Sequence, residues 1–215
     1  MSKNPSDRPS GKLSVRQREL RCYSSPFSVG YWRDAVREVR NPRTFCFSAL
    51  MIALCVALSY VPAVAIADGV KVTWGFMARG LCAMVGGPVN ALVFGAAEDT
   101  ISFLLHPTGP YFPGYMLTTM IGTFVYALFF YRQRVTVLRV FLAKAANSVV
   151  NLFLGSLWSA ILYSRGYLYY VTTRLVSYSV TLPIQVILLV LVIGALLPAL
   201  VQMNLHPQQE RLEVF

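Results

Sequence analysis

Long apolar runs separated by short polar segments dominate the chain between residues 44 and 200. A helix that crosses a bilayer needs about 20 predominantly apolar residues, and these runs reach or approach that length. The pattern therefore predicts an all-α integral membrane protein with six transmembrane helices. They are predicted at about 44–66, 72–85, 89–105, 115–131, 138–163 and 168–200.

Polar segments flank this six-helix membrane domain of residues 44–200 at both ends. Residues 1–43 form a basic arm with ten of the 19 Lys and Arg residues, and residues 201–215 form a polar tail. With six crossings, the basic turn Arg132–Arg139 lies on the same side as the arm. The positive-inside rule then predicts cytoplasmic N and C termini. We expect a multi-pass protein of the cell membrane.

The end of the basic arm has a helical pattern of its own. Residues 28–41 place apolar side chains such as Trp32 and Val36 at helical spacing, with arginines between them. This pattern is typical of a short amphipathic helix on the inner leaflet, although a solvated charged helix is an alternative interpretation. The net charge of +10 is concentrated in this arm, which favours membrane lipid over nucleic acid as its partner.

Composition and motifs exclude several classes of function. Apolar residues make up 56% of the chain and charged residues 13%, whereas soluble domains carry about 25% charged residues. The four cysteines form no CxxC pair, and no zinc, nucleotide-binding or hydrolase motif is present. We therefore predict no cofactor, no metal and no catalytic residues. Transport against a gradient would need an ion gradient or an ATP-hydrolysing partner.

Three charged residues lie inside or at the ends of the predicted second and third spans. Arg79 and the adjacent acids Glu98 and Asp99 flank the turn 86–88. Counting outward from that turn at about 1.5 Å per residue places them within one helical turn of the same depth. An ionised side chain that faces lipid is costly, so Arg79 is predicted to pair with Glu98 or Asp99 inside the bundle.

Two later spans carry polar side chains along one face. On the fifth span the shared face holds Asn147, Asn151 and Trp158, flanked by Lys144; on the sixth it holds Arg174, Tyr178, Thr181 and Gln185. Such stripes indicate either interhelical hydrogen bonds or a ligand cavity. The arginine and the aromatic side chains toward the outer half favour the cavity.

The first span carries a stripe of small residues. Ala49, Ala53 and Ala57 are spaced four apart on one helical face. Small residues let another helix approach closely in lipid, but alanine is also common in membrane helices. The pattern alone leaves both interpretations open.

The most specific motif is the segment 105–117, LHPTGPYFPGYML, which follows Asp99. It resembles the aspartate and the PTG-aromatic-FPG loop of the S components, the substrate-binding subunits of energy-coupling-factor vitamin transporters. Further similar segments are Trp74–Phe76, Gly86–Val89, Asn151–Trp158, Arg174 and Leu182–Pro183. Over about residues 44–195 the chain is identified as similar to the folate-specific branch of this family.

The resemblance implies a six-helix subunit that binds its vitamin from outside with high affinity. It implies as partners a transmembrane T component and two ATP-binding subunits, which supply the ATP hydrolysis, so the chain itself is not an enzyme. It also implies that the stripe of Ala49, Ala53 and Ala57 docks the T component.

The chemistry of folate is compatible with the residues available. Folate joins a flat pterin ring to a glutamate tail with two carboxylates. Cations such as Lys71 and Arg174 suit the carboxylates, an acid such as Asp99 suits the donor edge of the ring, and aromatic side chains suit its faces. The candidate substrate-binding residues are Lys71, Trp74, Asp99, Tyr111, Phe112, Pro113, Gly114, Asn147, Asn151, Trp158 and Arg174.

Two other hypotheses are kept. The first is an S component for another vitamin or base, such as thiamin, riboflavin or a queuine-like molecule. Ser177 and Gln185 favour it, because the family often has a basic residue and an acid at these places. The second is a membrane enzyme or an assembly factor, which predicts chemical turnover or copurification with other partners.

Overall fold

The computed structural model describes residues 29–62, 64–67, 70–107, 111–163, 166–203 and 205. In these residues it contains six helices and one two-stranded hairpin. The helices are α1 (Val29–Val39), α2 (Pro42–Tyr60), α3 (Phe76–Leu105), α4 (Pro113–Phe130), α5 (Val137–Tyr163) and α6 (Tyr167–Gln202), and the strands are β1 (Val64–Ala67) and β2 (Val70–Val72).

The predicted all-α membrane architecture is confirmed at the level of helix content and hydropathy. Within the described ranges, the five helices α2 to α6 are long and apolar enough to cross a membrane. Their loops are short, which is typical of helix bundles.

The end of the first span was predicted wrongly, because its last residues form a hairpin. Helix α2 ends at Tyr60, and the chain pairs antiparallel with Val64 opposite Val72 and Ala65 opposite Lys71. Pro62 has no backbone N–H, so it cannot continue the helix. The β-branched residues that follow it favour extended backbone.

The second and third predicted spans are the two arms of helix α3. The backbone breaks at Gly87, with φ 74° and ψ 178°. Arg79 and Glu98 form an ion pair of 3.0 Å, although on a straight helix their separation of 19 positions would span about 28 Å. The arms 76–86 and 88–105 are therefore antiparallel.

Helices α3 to α6 form a ring. Helix α3 packs against α4, α4 against α5, α5 against α6, and α6 returns to α3. Across the ring, the described residues of α3 and α5 have no Cα atoms within 8 Å of each other, and the same holds for α4 and α6. The ring therefore places α3 opposite α5 and α4 opposite α6, and we call the region between these helices the central space.

The apolar core closes one end of this space. We call it the Gly87 end, because it holds Gly87 and the turn between α4 and α5; the other is the hairpin end. Large buried side chains fill the Gly87 end, including Leu81, Met84, Phe130, Leu189, Ile193 and Leu197. Polar side chains of the ring are thus left to line the space toward the hairpin end.

Helix α1 is fixed to the Gly87 end by polar contacts. The Tyr31 hydroxyl donates to the Ala127 carbonyl at 3.2 Å, and its ring meets the Tyr131 ring edge-on at 5.3 Å. Arg132 donates to Asp34 at 2.7 Å and to Glu38 at 3.3 Å. Burial raises the pKa of Tyr31, so this hydroxyl remains a donor at physiological pH. The predicted amphipathic helix is present.

We predict that Gly87→Ala lowers the free energy of unfolding by about 1–3 kcal/mol, because only glycine adopts this backbone region without strain. A Cβ atom at this position would also lie 3.0 Å from the Tyr131 ring. Thermal unfolding in detergent measures the effect. Gly166→Ala is the matched control, since its φ is −56° and a Cβ atom there meets no atom within 4 Å. Equal stability of the two variants would contradict the prediction.

Candidate ligand-binding site

The centre of the site is the ion pair between the arms of α3. Arg79 Nε lies 3.1 Å from Glu98 Oε2, and Arg79 Nη2 lies 3.0 Å from Glu98 Oε1. The Ser102 hydroxyl donates to the same Glu98 Oε1 at 3.4 Å. The predicted pairing of Arg79 is confirmed, with Glu98 as the partner. A two-bond contact of this kind fixes the orientation of both side chains.

Arg79 also shows that the centre of the bundle is open. The Glu98 side chain is 3% exposed, but that of Arg79 is 35% exposed. The guanidinium interacts electrostatically with Asp99 on α3, with Lys144 on α5 and with the neutral hydroxyl of Tyr126 on α4. A side chain surrounded by three helices and still one-third exposed must border the central space.

Asp99, Asn147 and Asn151 line the same level of the bundle on different helices. The Thr119 hydroxyl of α4 donates to Asp99 Oδ1 at 3.0 Å. On α5, Asn151 Nδ2 donates to Asn147 Oδ1 at 3.0 Å. A Cβ atom on Gly122 of α4 would lie 2.5 Å from Asn147 Oδ1, so the amide pair needs this glycine. The Asp99 carboxylate and the amide pair therefore meet α4 about one turn apart, at Thr119 and Gly122.

An aromatic wall lies closer to the hairpin end. The rings of Phe112 and Trp158 are 5.6 Å apart, and Trp158 Nε1 donates to the Thr118 hydroxyl at 3.0 Å. Pro113 begins helix α4, where a missing N–H costs nothing. A Cβ atom on Gly114 would lie 2.5 Å from both rings. The PG pair of the loop motif thus brings the two aromatic side chains together.

Arg174 of α6 lies beside this wall. Its Nη2 donates to the Ser159 hydroxyl at 2.9 Å, and Ser159 also bonds the Tyr115 hydroxyl at 3.1 Å. A Cβ atom on Gly155 would collide with Arg174 Nη1, so the guanidinium occupies the place of a missing side chain on α5. Arg174 is therefore held by α5 at the level of Trp158.

Three other predicted residues lie apart from these groups. The Tyr111 side chain is 46% exposed and packs on Phe103 at 5.0 Å instead of on Phe112. Trp74 Nε1 donates to the Pro62 carbonyl at 3.4 Å, at the base of the hairpin. Lys71 lies in β2, which packs against α6. The Lys71 side chain and residues 108–110 and 164–165 lie outside the described residues.

Sequence reasoning missed several residues of the site. The missed residues are hydroxyl side chains that hydrogen-bond the predicted ones: Thr118 with Trp158, Thr119 with Asp99, and Ser159 with Arg174. Serine and threonine are common in membrane helices, so their presence in the sequence does not indicate a binding site. Lys144 was predicted only to flank the stripe of Asn147, although a basic residue in the middle of an apolar span is a strong signal of a functional site.

Comparisons with known proteins agree with this arrangement. No protein-family model matches the chain. The folate transporter FolT of Clostridium novyi (strain NT) is 34% identical over 121 residues, which are 56% of this chain and 70% of that protein. A solved structure of FolT bound with folic acid superposes with a TM-score of 0.61 at 29% identity, over 68% of this chain and 90% of that chain.

This chain belongs to the folate-specific S components of energy-coupling-factor transporters. The predicted family is therefore confirmed, and with it a transporter subunit instead of an enzyme.

We predict that Arg79→Met and Glu98→Met each lower the free energy of unfolding by about 3 kcal/mol, because each leaves an unpaired charge in the bundle. The double variant should recover most of this loss, since it removes both charges. Thermal unfolding of the four proteins forms a double-mutant cycle. If the losses of the single variants simply add in the double variant, the pair is not coupled and the prediction is wrong.

Proposed function

We propose that this S component captures folate at the membrane surface and delivers it inward when coupled to a T component and two ATP-binding subunits. The observation that carries the proposal is the match to FolT bound with folic acid, which covers 90% of that chain at 29% identity. The central space between α3 and α5 is the place we assign to the vitamin.

The groups that border this space suit the parts of folate. Asp99 and the amides of Asn147 and Asn151 offer acceptors and donors for the polar edge of a pterin ring. Phe112 and Trp158 offer faces on which such a ring stacks. Arg174 offers its guanidinium to a carboxylate of the glutamate tail. The hairpin that carries Lys71 and Trp74 would then lie near the entrance.

The proposed topology has six crossings with both termini in the cytoplasm of a cell-membrane protein. The crossings are α2, the two arms of α3, α4, α5 and α6. The arm 76–86 has only 11 residues, or about 16 Å, so the hairpin would enter the outer leaflet to complete that crossing. Helix α1 would lie at the inner leaflet, where its exposed Trp32 and arginines meet lipid.

The alanine stripe of α2 supports docking of the T component. Ala49, Ala53 and Ala57 are all exposed on the outside of the ring. In lipid, small exposed residues contribute little to the stability of a lone helix, but they let a second helix approach closely and pack against it. The large side chains Phe45 and Leu50 beside it are also exposed, at 69% and 63%. We therefore assign this face to a partner helix.

We predict tight one-to-one binding of folate, measured by calorimetry on the purified chain and by quenching of Trp158 fluorescence. Arg174→Ala and Asp99→Asn should each weaken binding at least about tenfold, because each removes a charge-assisted hydrogen bond worth about 1.5–3 kcal/mol. Arg134→Ala is the control, since Arg134 is exposed in the turn between α4 and α5.

Thiamin and riboflavin serve as competing ligands in the same titration. Binding of one of these in place of folate would reject folate and keep the transporter class. An affinity for folate that stays within twofold in both site variants would reject the assigned residues.

We predict that Ala53→Leu abolishes coupled folate uptake in cells that carry the T component and the ATP-binding subunits. Folate binding by the purified variant should stay within twofold of the original, because Ala53 is exposed and lies outside the site. Ala195→Leu on the exposed face of α6 is the matched control. Normal uptake by Ala53→Leu would show that this face does not dock the partner.

A further inference from the structure

Lys144 is a buried amine for which the described residues supply no counter-ion. It lies on α5, one turn before Asn147, and is only 6% exposed. Its Nζ lies 4.5 Å from the centre of the Phe76 ring. Among the described residues, no carboxylate and no hydrogen-bond acceptor pairs with Nζ.

The surroundings make this position costly for the unliganded protein. An ammonium group inside a membrane protein needs a compensating partner, and a contact with one aromatic ring supplies only part of this. The cation Arg79 repels Lys144 and is already paired with Glu98. The stability of the bundle therefore gives no reason for a lysine here.

Helix α3, on the other side of the central space from Lys144, carries a carboxylate, Asp99. Asp99 of α3 is only partly buried, and within the described residues its hydrogen-bond partner is the Thr119 hydroxyl. No Cα atoms of α3 and α5 lie within 8 Å of each other among the described residues, so only long side chains such as Lys144 and Phe76 meet across the centre of the bundle. Phe76, which Lys144 contacts, and Asp99 lie 11 and 12 positions from Gly87 on the two antiparallel arms of α3, so Lys144 and Asp99 stand at a similar depth in the bundle.

We propose that Lys144 is a specificity-determining residue, which donates to the ring carbonyl of the bound pterin while Asp99 accepts from its ring N–H and amino groups. The inference rests on the proposed folate binding. A pterin carries these acceptor and donor groups next to one another and is neutral. Inserted between the walls, it compensates a cation and an anion without adding a charge to the interior.

The test compares folate with aminopterin, in which an amino group replaces the ring carbonyl. Calorimetry on the full-length chain gives both affinities. We expect the original protein to prefer folate at least tenfold. Lys144→Met should weaken folate binding at least tenfold and aminopterin binding less than threefold. Only folate has the ring carbonyl that accepts a hydrogen bond from Lys144, so only folate loses this bond in the variant. Lys144→Gln, which retains a donor, should keep part of the preference, and Arg134→Met should change neither affinity.

Unfolding of the unliganded protein separates this role from a structural one. Lys144→Met should melt at the same temperature as the original protein or higher, because it removes an unpaired buried charge. Equal weakening of both ligands, unchanged folate affinity, or a lower melting temperature without a change in preference would each overturn the proposal. Failure of the original protein to bind folate would instead reject the proposed function before any variant is made.

Discussion

The ion pair between Arg79 and Glu98 joins the two arms of α3, and the site is built around this contact. In an interior of low dielectric constant, neither charge is tolerated alone, so the pair favours the arrangement in which the arms lie antiparallel. Gly87 makes the reversal sterically possible, because its backbone angles are closed to other residues. Asp99 then takes its place beside the pair on the wall of the central space.

Close packing at one end and open polar walls at the other divide the bundle by function. The apolar core at the Gly87 end holds α3 against α4 and α6 and closes the central space. Toward the hairpin end, glycines leave room for the polar and aromatic side chains of neighbouring helices. Gly114, Gly122 and Gly155 each lie where a Cβ atom would strike a residue of the site. These glycines shape the site without contacting a ligand themselves.

Helix α1 ties the Gly87 end together from outside the ring. Arg132 has a positive φ of 50° and donates to Asp34 and Glu38. Glu38 also accepts from Thr44 at 2.7 Å, so the same carboxylate links α1 to the start of α2. The acids of α1 thus turn inward, and its exposed surface keeps the arginines. A helix held in this way connects the proposed docking helix α2 with the turn between α4 and α5.

The sequence by itself determined the membrane class, the helical content, the family and the depth at which Arg79 meets an acid. These follow from hydropathy, from the loop motif and from counting along helices, all of which are local or periodic. Only the tertiary structure decided that Glu98, not Asp99, pairs with Arg79, that Tyr111 leaves the aromatic wall, and that a hairpin follows α2. The sequence shows Lys144 as a basic residue in a span, but only the packing of α5 shows that its amine meets the Phe76 ring and no carboxylate among the described residues. The partner of a polar side chain and the room around it depend on how helices that are distant in sequence pack together. A periodic pattern within one helix carries no information about the distance between two helices.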